Sequence, residues 1–115
     1  MSRDPAEPLR DIIQASEAIA EFLFEVNLET FSASDALTSQ VYWKLSVIGE
    51  AANRALRSRP RLAEDIPYLV NLAQVRNRVI HGYDGIDNGI VWTIVKERLA
   101  QAVAQISEWL SESEA

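Results

Sequence analysis

The chain has 115 residues, 48% of them hydrophobic, no cysteine, one histidine and a net charge of −6. Without cysteine there is no disulfide framework or thiolate metal site, one histidine excludes zinc motifs that need two, and the acidity argues against binding duplex DNA through a basic surface. No apolar run approaches the roughly 20 residues of a membrane span, and the N-terminus is too acidic for a signal peptide, so one domain over residues 1–115 in the cytoplasm is expected.

Asp4-Pro5-Ala6-Glu7 opens a first helix, with Asp4 as N-cap, Pro5 at the first position and Glu7 reaching back. Leu9, Ile12, Ile13, Ile19, Phe22, Leu23 and Val26 recur at helical spacing, which predicts an amphipathic helix ending near Val26 or Asn27. Glu7, Asp11, Glu17, Glu21, Glu25 and Glu29 make it acidic. Thr30 to Ser34 reads as a polar connection, in which Ser32 or Ser34 can cap the next helix.

That second helix is predicted to run to about Arg57, with Leu37, Val41, Leu45, Ile48, Ala52 and Leu56 as its main stripe. Trp43, Val47 and Ala51 form another stripe, four residues apart, on a different side. A helix apolar on two sides is either central in its own domain or half of a subunit contact, and with four helices available the contact is favoured. Gly49, beside Ala51 and Ala52, permits close approach of a neighbouring helix.

Ser58-Arg59-Pro60-Arg61 breaks the pattern, and Pro67 takes the first position of a third helix carrying Leu69, Leu72, Ala73, Val75 and Val79. A turn from Gly82 to Gly89 follows, with Asp87 or Asn88 capping a last helix from about Ile90. Val91, Val95, Leu99, Ala102, Ile106 and Leu110 line that helix, Trp92 and Trp109 flank it, and Ser111 to Ala115 is expected to fray. Without strand signals or repeats, the pattern predicts an all-α fold, an antiparallel bundle of four to five helices.

The stretch from Arg76 to Asp87 concentrates the polar chemistry. At about 100° per residue, Asn77 and His81 share a helix face one turn apart. His81 is the group able to exchange a proton near neutral pH, and it meets Gly82, which readily ends a helix. Arg76 has Leu72, Ala73, Val79 and Ile80 as its neighbours at three and four residues, so it falls within an apolar stripe. Such an Arg either forms a buried salt bridge or holds an anion. Arg78 reads as a solvated charge. Arg54, Arg57, Arg59, Arg61, Arg76 and Arg78 gather positive charge in mid-chain, as a local phosphate-holding zone or as a solvated helix end.

Arg76-Asn77-x-x-x-His81-x-Tyr83 resembles the signature of the HEPN superfamily, and most closely its HepT-like branch. Gly85-Ile86-Asp87, Trp92 and Ile48-Gly49-Glu50-Ala51 resemble that family too, so the likeness covers nearly the whole chain. Asp84 departs from the pattern, because relatives often carry an aromatic there; this leaves the Arg/His pair intact and alters local contacts.

The resemblance implies a HEPN-like bundle acting as the toxin of a toxin–antitoxin pair. It would be a homodimeric, metal-independent endoribonuclease that needs no cofactor. In that role His81 transfers protons, Arg76 holds the phosphate and stabilises its transition-state charge, and Asn77 orients the imidazole or the substrate. Tyr83 would be the residue to which a cognate minimal nucleotidyltransferase, the antitoxin, attaches AMP; its plainer role is packing over the turn. The other class of function is a non-catalytic helical module that pairs with a nucleotidyltransferase, which has less reason to keep the full Arg/Asn/His/Tyr set.

Overall fold

The computed structural model describes residues 4–79 and 85–114, with the backbone alone at 78, 79 and 114. Most of the described residues are helical, and none forms a strand. α1 (Ala6–Phe22) starts one residue later than the sequence predicts, with Pro5 at the cap position. Asp4 still serves it, because its carboxylate accepts from the Ala6 N–H at 2.9 Å. The helix stops at Phe22, not at Val26 or Asn27, and the chain turns through Glu25 at φ 58°.

The stretch expected to be a polar connection is instead α2 (Leu28–Ala33). Asn27 caps it by accepting from the Thr30 N–H at 2.8 Å, and Phe31 is fully buried. Phe31 is its one buried residue, and a single anchor in six residues gives no periodic signal, which is why the pattern hides it. Ser34 then caps α3 (Asp35–Ser58), as expected, by accepting from the Leu37 N–H at 3.1 Å.

α1 and α3 form the centre of the bundle, with Leu9, Ile12, Ile19, Val41, Leu45 and Ile48 at 0–1% exposure. They run antiparallel: Asp11, early in α1, meets Arg54, late in α3, at 2.7 Å. After α3 the chain makes a short helix, α4 (Leu62–Asp65), which buries Leu62 and lies where the sequence shows only a broken pattern. α5 (Tyr68–Ala73) follows Pro67, and a break at Gln74 separates it from α6 (Val75–Val79).

The final helix is α7 (Asn88–Thr93), a π-helical segment (Ile94–Arg98) and α8 (Leu99–Glu114) in one run. The buried positions explain the π turn. Val91, Ile94, Leu99, Ala102, Ile106 and Leu110 face the core, and the step from Ile94 to Leu99 is five residues. An α-helix would swing Leu99 off that face, whereas a turn closed by the Leu99 N–H on the Ile94 carbonyl keeps both inside. Ile94 therefore takes the core position expected of Val95, which is half-buried. The helix also continues through Ser111 to Glu114, the stretch expected to fray.

The run lies antiparallel to α1. Lys96 donates to the Leu23 carbonyl beyond the C-terminus of α1 at 3.4 Å, and stands 4.8 Å over the Trp92 ring, which packs on Phe31. At the opposite end Arg59 sits 5.3 Å over Trp109. No helix among the described residues is long and apolar enough to cross a membrane.

Candidate active site

α6 carries Arg76 and Asn77, and the α5–α6 pair crosses α3 at Gly49. A Cβ at Gly49 would meet the Leu72 carbonyl oxygen and Val75 Cγ1, each at 3.3 Å. The missing side chain is what lets the two backbones come this close. Asn53, one turn further along α3, donates from Nδ2 to the Gly49 carbonyl and to the Ala73 carbonyl, both at 3.2 Å. Ala73 is the last residue of α5, so Asn53 satisfies a carbonyl that the break at Gln74 leaves open.

That break moves Arg76. Leu69, Leu72 and Val75, at 0%, 4% and 2% exposure, continue the buried stripe, and Arg76 is turned to solvent. The expectation that Arg76 falls within an apolar stripe, there to form a buried salt bridge or hold an anion, is thus corrected as to burial: the sequence spacing assumes one unbroken helix, and the interruption changes the phase.

Arg76 lines two open clefts. One, of about 470 Å³, it shares with Asn53, Ala73 and Asn77. The other, of about 410 Å³, it shares with Asp11, Arg54 and the Trp43/Val47/Ala51 stripe. Within that stripe Trp43 is 68% exposed, Val47 is half-buried and Ala51 is 2% exposed, so Trp43 alone projects fully.

The mid-chain arginines do not form one uniform basic zone. Arg54 pairs with Asp11 at 2.7 Å, Arg57 with Glu50 at 3.3 Å and Arg61 with Asp65 at 4.0 Å, while Arg59 lies over Trp109. Arg76 makes no such contact among the described residues. An exposed, unpaired guanidinium at a cleft is able to take a phosphate oxygen pair without first giving up a carboxylate.

His81 and Tyr83 lie outside the described residues, as does the side chain of Arg78. Beyond that segment, Gly85 adopts φ 83°, a left-handed conformation that suits glycine. Asp87 then caps α7, accepting at Oδ1 from the Gly89 and Ile90 N–H groups at 2.9 and 3.1 Å. The Tyr42 hydroxyl donates to the Asn88 side-chain oxygen, which joins the middle of α3 to the start of α7. Burial, and then the Asp87 charge, push the Tyr42 pKa up and keep the hydroxyl a donor.

Asn53 and Tyr42 support the two ends of the motif segment, and neither is evident in the sequence. Each sits beside a stripe residue, Ala52 or Trp43, and polar residues at such boundary positions are ordinary. Among the described residues, no group of three or more His, Cys, Asp and Glu side chains is placed to hold a metal ion.

The family model described as "Ribonuclease HepT-like" matches residues 12–109. A protein of Thermococcus cleftensis named Probable ribonuclease HepT is 35% identical over 97 residues, which cover 84% of this chain and 87% of that one. A candidate RNase of Methanocaldococcus jannaschii is 30% identical over 83% of this chain and 86% of its own. Another, of Caldanaerobacter subterraneus subsp. tengcongensis, is 25% identical over 94% of this chain and 96% of its own. No solved structure matches the chain significantly.

Proposed function

The chain belongs to the HepT-like ribonuclease family, and on that premise we propose that it is a metal-independent endoribonuclease working through Arg76 and His81. The 2′-hydroxyl of one nucleotide attacks the adjacent phosphorus, the 5′-oxygen leaves, and the products end in a 2′,3′-cyclic phosphate and a 5′-hydroxyl. His81 moves the proton, and Arg76 binds the charge that grows on the non-bridging oxygens. Asn77, exposed beside Arg76 on the larger cleft, orients substrate or imidazole.

The observation that carries this reading is the state of Arg76: exposed, unpaired among the described residues and open to two clefts. A structural Arg would be expected to have a partner, as Arg54 and Arg57 do. In the wider reading the protein is the toxin of a toxin–antitoxin pair. It acts as a homodimer with Trp43 in the contact, and it is silenced when a partner nucleotidyltransferase adds AMP to Tyr83.

The test is cleavage of an oligoribonucleotide in excess chelator, with product ends identified by mass. His81→Ala and Arg76→Ala should each lose about 100-fold or more in rate, with unchanged helical content by circular dichroism. Wild-type rates in His81→Ala, or activity abolished by the chelator, would count against the mechanism.

A further inference from the structure

We propose that Arg98 is a second phosphate-binding residue, which holds the RNA strand beside Asp87 and Gly89, where the chain is described again after the motif segment. The inference rests on the ribonuclease reading of the chain and extends it by a binding subsite.

It starts from how the described arginines are engaged. Arg54, Arg57, Arg59 and Arg61 have a carboxylate or a ring as partner, and Arg10 is also engaged. Among the described residues, Arg76 and Arg98 are the arginines with no such contact. Both are exposed. On a chain of net charge −6, guanidinium groups left unneutralised stand out as places where an anion can bind.

Their positions bracket the motif. Arg76 comes just before the segment 80–84, in α6. Arg98 lines a groove of about 350 Å³ with Asp87, Gly89 and Thr93, which is where the chain emerges from that segment. Arg98 and Ile94 also border a separate water-sized cavity of about 20 Å³, lined by Tyr68, Asn71, Leu72 and Val75. Val75 therefore borders the small cavity beside Arg98, while its neighbour Arg76 lines the other clefts.

The chemistry of the groove suits one phosphate of a single strand. Leu72, Val75 and Ile94 are buried, at 4%, 2% and 6% exposure, so what the groove offers a strand is the paired donors of Arg98, aimed at a phosphate. Asp87 is the nearby carboxylate, and its Oδ1 is engaged by the Gly89 and Ile90 N–H groups. The π turn places Arg98 here: the five-residue step that keeps Ile94 and Leu99 on one face sets the phase of the residues between them.

The test uses the full chain and a fluorescent 12-nucleotide RNA with 2′-O-methyl riboses, which lacks the attacking hydroxyl. Binding is read by anisotropy over a salt series for wild type, Arg98→Ala and Arg61→Ala. Arg98→Ala should raise Kd about fivefold to tenfold and reduce the log Kd–log salt slope by about 0.7, the value for one single-strand phosphate contact. Arg61→Ala should match wild type, and circular dichroism should be the same for all three. Wild-type Kd and slope in Arg98→Ala would overturn the subsite and leave the ribonuclease reading standing. Equal weakening by Arg61→Ala would also overturn it, since diffuse surface charge would then explain the loss. Displacement of the strand by micromolar AMP would overturn it as well, in favour of a free-nucleotide pocket. If wild type neither binds the probe nor cleaves RNA, the ribonuclease reading itself fails, and this proposal with it.

Discussion

The Tyr42 hydroxyl donates to the side-chain oxygen of Asn88 across 46 positions of sequence, which ties the middle of α3 to the first residue of α7. The bond anchors the chain where it leaves the motif segment. Removing it with Tyr42→Phe leaves the Asn88 oxygen without its partner and should cost about 1 kcal/mol. The sign of the pH dependence follows from the raised pKa. Folding favours the protonated phenol, so its contribution is complete below the ordinary value of 10.0 and is lost as pH rises through the higher folded value. Denaturant titrations at several pH values should show wild type and Tyr42→Phe converging above pH 10. A constant gap at all pH values would mean that the hydroxyl does not titrate in the folded protein as described.

Gly49 is the second anchor. Gly49→Ala would gain about 1 kcal/mol of helix propensity, and its Cβ would press on the Leu72 carbonyl and Val75 Cγ1 at 3.3 Å. Those effects oppose, so the expected change is near zero. Gly49→Leu has no such balance: it should destabilise by about 2 kcal/mol through overpacking. Because α6 moves with Val75, cleavage should also fall at temperatures where the variant is still folded. Urea midpoints and single-turnover rates check both. Full activity in a folded Gly49→Leu protein would show that Arg76 does not depend on this contact.

Much of this fold is legible because local chemistry and packing agree. Ser34 and Asp87 cap the helices that they precede, Gly49 marks a close crossing, and Val41, Leu45 and Ile48 are buried as their spacing requires. The sequence misleads where a single residue decides. Phe31 turns a polar stretch into α2, and Leu62 does the same for α4. The π turn substitutes Ile94 for Val95, since periodicity assumes a constant 3.6 residues per turn. Arg76 is the instructive case for the site. Its polar identity pointed to function, but its environment depended on a break at Gln74 that no glycine or proline announces.

Trp43 is 68% exposed on the cleft that also holds Arg76. An exposed indole beside the proposed catalytic Arg is the expected centre of a twofold contact, because burying it on a second copy removes a large apolar area from water. Trp43→Glu should raise the dimer dissociation constant by about 10-fold to 100-fold, through lost packing and paired like charges across the axis. Light scattering at micromolar concentration gives the mass directly. A monomeric wild type would remove the homodimer from the proposal.

The off-switch is the most specific part of the toxin reading. Tyr83 lies two residues past His81, separated from it by Gly82, so an adduct there is tied covalently to the proposed proton-transfer group. In AMP transfer the phenol oxygen attacks the α-phosphorus of ATP, pyrophosphate leaves, and the phenol proton passes to solvent or base. The product adds a phosphodiester charge and an adenosine next to His81, which should repel RNA phosphates and occupy their space. Incubation with the partner nucleotidyltransferase, ATP and Mg²⁺ should therefore add AMP to Tyr83, and cleavage should fall in proportion to the modified fraction. Tyr83→Phe keeps the ring and loses only the nucleophilic oxygen, so it should still cleave RNA and should resist silencing. Intact-mass spectrometry, peptide mapping and cleavage rates on the same samples decide the matter. If no adduct forms, or if Tyr83→Phe is modified and silenced like wild type, Tyr83 is not the switch and the partner must inhibit by binding alone.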